Sequence, residues 1–165
     1  MKRLFTDVAL GMAAGVAATA ALNAWIQATQ PKHSAPSTEE PSTVKAAVRG
    51  MHLLGVDAPS RRARKFGGQA VHWGYGAAWG GVVGAAASLG LPLHRWGGLP
   101  FGAGLWLLGD IWLLPKLGLE KPASAYPAKA HARYLGAHWS YGATLAALWM
   151  LRERARRQRR WPRAA

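Results

Sequence analysis

Three ionisable side chains, His72, Asp110 and His138, stand inside stretches that otherwise carry no charge. An imidazole titrates near neutrality and can donate, accept or ligate. A carboxylate beside it can accept a hydrogen bond, share a proton or join a ligand set. Ionisable groups in such surroundings face inward and pair. The expected chemistry is a hydrogen bond onto Asp110 from His72, His138 or both. Four uses of the set stay open. They are glue between helices, a proton or ion path, axial haem ligation by the two imidazoles, and metal ligation by all three residues.

The two histidines open the same motif. His72-Trp73-Gly74-Tyr75-Gly76-Ala77 and His138-Trp139-Ser140-Tyr141-Gly142-Ala143 differ only at Gly74 against Ser140. A weaker echo sets Asn23-Ala24-Trp25 against Asp110-Ile111-Trp112. The candidate polar layer is therefore His72, Asp110, His138 and Asn23, with Tyr75 and Tyr141 one helical turn deeper. No G-x-S-x-G, H-E-x-x-H or phosphate-binding glycine loop occurs. No catalytic residue and no cofactor is expected from the sequence, and the chain reads as no enzyme.

The elements that must position this layer are long and apolar. In 165 residues, Lys+Arg total 21 and Asp+Glu total 7, a net charge of +14, yet the charges avoid four stretches. Runs of ~18 or more apolar residues are long enough to cross a bilayer as helices. The expected fold is an all-α polytopic membrane helix bundle of about four spans. The spans lie near 5–27, 67–90, 97–114 and 134–151, within one membrane domain over 1–151. Segment 28–66 is a linker and amphipathic connection, and 152–165 is a basic tail. The motif echo points to two parallel helical hairpins. His72 and His138 then lie about 8 Å and about 6 Å into their spans at the helical rise. A signal peptide cleaved after Ala20 is the rival reading of the first run, disfavoured because the apolar run continues to Ile26.

Small residues recur four apart: Gly11, Gly15 and Thr19; Gly76, Gly80, Gly84 and Ser88; Gly136, Ser140 and Thr144. Such stripes let helix backbones approach closely. In the connection, Val44, Ala47, Val48, Met51 and Leu54 share one helical face. That face suits a membrane surface or the protein itself. Arg61, Arg62, Arg64 and Lys65 precede the second span, and Arg154, Arg156, Arg157, Arg159 and Arg160 crowd the tail. Both clusters are expected to face anionic lipid. The rival for the tail is an arm binding nucleic-acid phosphates, which the apolar runs make the weaker reading. Basic residues divide almost evenly between the two sides of a four-span bundle, so orientation rests on the dense tail, which puts both termini in the cytoplasm. A homo-oligomer or another membrane protein is the remaining expected partner. The absence of Cys excludes disulfides, thiolate metal sites and a cysteine nucleophile.

Several segments together resemble the YagU-like bacterial inner-membrane family. They are Gly68-Gln69-Ala70-Val71-His72-Trp73-Gly74-Tyr75-Gly76, Gly102-Ala103-Gly104-Leu105-Trp106-Leu107-Leu108-Gly109-Asp110 and Leu114-Pro115-Lys116-Leu117-Gly118-Leu119. Lys121-Pro122, Tyr126-Pro127, His131 and Ala137-His138 follow in the same order. The resemblance implies a multi-pass protein of the bacterial inner membrane and no assigned activity, so it carries over no catalytic residue. It runs from the first span to the fourth and leaves out the linker and the tail.

Overall fold

The computed structural model describes residues 1–31 and 39–160. The middle of the linker, residues 32–38, the last residues of the tail, 161–165, and the side chains of Arg159 and Arg160 lie outside the described residues. The described chain is helical and contains no strand. In order come α1 (Lys2–Ala28), α2 (Ser42–Leu53) and α3 (Arg61–Ser88). Next is α4, one continuous helix made of an α-helical start (Leu99–Leu105), a π-helical stretch (Trp106–Leu113) and a last turn (Leu114–Lys116). The final helix is α5 (Ala128–Arg160).

Two stretches are long and apolar enough to cross a membrane by length and composition. They are Arg3–Ala28, of mean hydropathy 1.5, and Trp96–Lys116, of mean hydropathy 1.3. The other two long helices, α3 with 28 residues and α5 with 33, exceed the ~20 residues a bilayer requires. Both begin or end in basic turns and hold His, Tyr, Trp and Gly in their middles, which lowers their hydropathy.

Glycine brings α1 and α3 together. Gly11 and Gly15 sit against Gly76, Gly80 and Gly84 in antiparallel order. A Cβ on Gly80 would come 2.7 Å from the Gly15 Cα and would strike the Gly11 carbonyl oxygen. Only hydrogen allows the two backbones this separation. The α4–α5 contact is built the same way, with Gly98 and Gly102 lying on the backbone of Gly142 and His138. Gly98 also caps the start of α4 with φ 71, a left-handed value that a side chain resists. The Gly98–Gly102 pair has the same four-residue spacing as the other stripes, and the stripe on α5 that meets it centres on Gly142.

These contacts fix the directions. α1 and α4 run one way, α3 and α5 the other. The terminal end of the bundle holds the start of α1 and the end of α5, and the opposite end holds α2 and the loop after α4. The core between the helices is small: Ala18, Val83, Leu105, Tyr141 and Leu145 are buried together, with Trp79 and Phe101 packed against them. Outward from it, large apolar side chains are exposed on every long helix. They include Phe5 and Val16 on α1, Val82 on α3, Leu108 and Trp112 on α4, and Leu148 and Leu151 on α5.

α2 rests on the protein. Val44, Ala47 and Met51 cover Gly67 and Gly68 of α3, so the periodic face closes a helix–helix contact. Arg49 on its other side donates to the Leu117 carbonyl at 2.9 Å. α3 starts at Arg61, with Ser60 capping Ala63 N–H at 3.2 Å. The basic cluster is therefore helical, and cations in a first helical turn oppose the helix dipole. Arg64 resolves part of that conflict by a two-pronged ion pair with Glu40, both oxygens at 2.7 Å. Arg64 is thus half-buried and engaged with Glu40, whereas Arg61, Arg62 and Lys65 are exposed.

Candidate functional site

The polar layer lies near the α2 end and is made of two separate pairs. In the first, the His72 ring and the Asn23 side-chain oxygen meet at 2.9 Å, tying α3 to α1. In the second, His138 Nε2 stands 3.8 Å from Asp110 Oδ2, tying α5 to α4. Asp110 thus takes His138 as its partner, and His72 turns to Asn23. The two tyrosines diverge. Tyr141 is 3% exposed and donates to the Gly76 carbonyl at 2.6 Å across the core. Tyr75 is exposed, edge-on to Trp79, with its hydroxyl beside Gly109.

Local structure explains the second pair. Pro115 has no N–H to give to the carbonyl four residues back, and its ring crowds that carbonyl. The helix widens into π geometry just before it, over the stretch that carries Asp110. Single π segments of this kind recur at functional sites. The His138 ring is oriented by its other nitrogen, which lies 2.9 Å from the Tyr134 carbonyl and so donates to it. At 3.8 Å the Nε2–Asp110 separation is longer than a hydrogen bond, so the two groups face each other at ion-pair range between the helices.

Asp110 opens onto a cavity of about 230 Å³ between α4, the loop after it and the start of α5. Its side chain is 34% exposed. Trp106, Tyr134, Glu120, Tyr126 and His131 line the same space. Glu120 accepts the Tyr126 hydroxyl at 2.5 Å and the Lys121 backbone N–H at 3.1 Å. The Glu120 carboxylate holds the Tyr126 phenol well above its ordinary range, at about 12. His131 donates to the Ala123 carbonyl at 3.0 Å and meets Trp106 and Tyr126 edge-on. Lys121 at the rim pairs with Glu39, which raises the Lys121 ammonium and lowers the Glu39 carboxyl from their usual values. Among the described residues, no three His, Cys, Asp or Glu gather closely enough to hold a metal ion.

Sequence reasoning missed two groups. Tyr126 and His131 were not among the candidate site residues, although a lone Glu120 between two prolines was a signal for a built loop. The second group is at the terminal end. Asp7 is 1% exposed, and its carboxylate accepts Ser88 Oγ at 2.8 Å. Arg152 pairs with it directly, Arg156 at 3.5 Å and Arg3 at 3.7 Å. This one carboxylate joins α1, α3 and α5. Arg156 is thereby partly committed inside the protein, whereas Arg154 and Arg157 are exposed. The signal was Arg3 and Asp7 one turn apart at the head of an apolar helix; the distant Arg152 had none.

No family model, curated protein or solved structure matches this chain.

Proposed function

We propose that the chain is a multi-pass integral membrane protein of a bacterial inner membrane, with four crossing helices and both termini in the cytoplasm. It acts without catalysis, through contacts with lipid and with another membrane protein or a second copy of itself. The observation that carries this reading is the inverted distribution of side chains. Apolar residues of all four long helices face outward, while Asp7, His72, Asp110 and His138 are paired within the bundle. A water-soluble domain buries such apolar surface, and extended exposed apolar surface marks lipid or protein contact. The pairing matches glue between spanning helices, worth roughly 0.6 kcal/mol on average for each contact. The two histidine motifs fit a repeat of two hairpins, α1–α3 and α4–α5. The resemblance to the YagU-like family supports the choice of membrane. The test is extraction of native membranes with alkaline carbonate: the protein stays in the pellet, and release into the supernatant refutes the reading.

A second reading, proton or ion handling, is favoured by Asp110, which lines an open cavity and stands 3.8 Å from His138. In sealed proteoliposomes carrying a pH gradient, it requires a leak that Asp110→Asn abolishes. Equal leak rates with and without the protein leave the accessory role alone.

A further inference from the structure

The terminal end holds a second cleft, where Arg3 and Asp7 of α1, Ala87 of α3 and Trp149, Arg152, Glu153, Arg156 and Arg157 of α5 converge. Its charge is unbalanced. Four guanidiniums face two carboxylates. Asp7 is shared among Arg3, Arg152, Arg156 and Ser88, and Glu153 lies 3.8 Å from His94. Arg157 has no carboxylate of its own among these pairs. Arg152 is stacked over the buried Trp149 indole at 4.3 Å, which holds its guanidinium in place. The cleft therefore carries positive charge in excess of its two carboxylates, with one guanidinium fixed against the indole.

We propose that this cleft binds the phosphate of one anionic phospholipid headgroup, with Arg157 and Arg156 as its donors. Guanidinium groups recognise phosphate oxygens by paired, charge-assisted hydrogen bonds. Lipid is preferred over free phosphate because the cleft opens at the end of a bundle whose long helices expose apolar side chains, among them Leu10 on α1 and Leu148 and Leu151 on α5. This inference rests on the membrane reading, and it narrows a diffuse basic tail to one site with a defined stoichiometry.

The test is native mass spectrometry of the full chain in mild detergent, titrated with phosphatidylglycerol, phosphatidylcholine or inorganic phosphate. The wild type retains one phosphatidylglycerol at concentrations where phosphatidylcholine is lost. Arg157→Gln keeps every ion pair of Asp7 and weakens retention about tenfold, as expected for one charge-assisted contact. Arg154→Gln removes the same charge from an exposed position outside the cleft and changes nothing. Melting curves of the two variants check that they fold. Equal losses in Arg154→Gln and Arg157→Gln overturn the site in favour of diffuse charge attraction. Equal retention of the two lipids, or displacement by inorganic phosphate at matching concentration, also overturns it. Carbonate extraction of the same membranes separates the two claims: a protein that stays in the pellet but binds no lipid selectively loses the cleft and keeps the membrane reading.

Discussion

The α1–α3 pair and the α4–α5 pair use one design with two outcomes. Each crosses on glycine, and each sets the histidine of a His-Trp-x-Tyr-Gly-Ala motif toward a polar residue of the neighbouring helix. In the first pair the partner is the neutral Asn23, the contact is a 2.9 Å hydrogen bond, and α1 is a regular helix. In the second the partner is the ionisable Asp110, the separation is 3.8 Å, and the helix is π-wound. The tyrosines follow the opposite course: Tyr141 of the second motif is sealed in the core and Tyr75 of the first is exposed. One short motif therefore supplies a closed structural contact in one pair and an open, titratable one in the other. What separates them is the partner residue and a proline one turn beyond it.

The largest effect belongs to the tie between the two pairs. Asp7→Ala leaves Arg152, whose side chain is 15% exposed, without its anion. Breaking a buried ion pair from one side costs about 3–5 kcal/mol. A thermal melt in detergent is expected to show that loss, and a melt within 1 °C of wild type would mean that Asp7 holds nothing together.

Next in size is the glycine contact. Gly80→Val forces a side chain into the backbone of α1 and costs at least ~1–3 kcal/mol. Gly104→Val, where a side chain meets open space, stays within about 0.5 kcal/mol. Similar losses at the two positions would show that α1 and α3 do not approach on glycine.

Exchange of the partners sharpens the comparison directly. Asn23→Asp places a carboxylate in the tight, regular pair and destabilises it by about 1–2 kcal/mol at neutral pH. Asp110→Asn makes the second pair neutral like the first and changes stability by less than ~0.6 kcal/mol. Equal responses in the two melts would remove the distinction between closed and open pairs.

The smallest effect lies in the loop. Tyr126 is held up at about 12 against an ordinary value of 10.0. The folded state thus binds its proton more tightly than the unfolded chain does. The stabilisation is complete below pH 10 and is lost as pH rises toward 12. Tyr126→Phe removes that alkaline component from the melting profile, and a profile identical to wild type between pH 9 and 12 would dissociate the Tyr126–Glu120 contact from stability.

How much of this was legible depended on the range of the interactions. The helices were readable because charge exclusion and small-residue spacing are local. Gly11 and Gly15 announce a close contact without saying which helix answers. The polar layer was readable because a His or Asp inside an apolar run is conspicuous. Its pairing was not, since Asn23 and Asp110 compete for the same two rings and backbone direction decides. The π-helical stretch follows from Pro115, yet the sequence suggested that the helix stops there. Asp7 with Arg152, and Arg64 with Glu40, join residues that read as ordinary surface charge, and only the folded arrangement brings them together.

The crossing of all four helices is the central claim, and the absence of Cys makes it directly measurable. Single cysteines at Asp57 and Ala125, at the α2 end, and at Gly90 and Arg154, at the terminal end, are labelled with a membrane-impermeant maleimide. Labelling is done in intact spheroplasts and again after lysis. Asp57 and Ala125 are expected to label in intact spheroplasts, with Gly90 and Arg154 labelling only after lysis. Labelling of Asp57 and Gly90 from the same side, or of all four positions before lysis, would contradict a four-helix crossing.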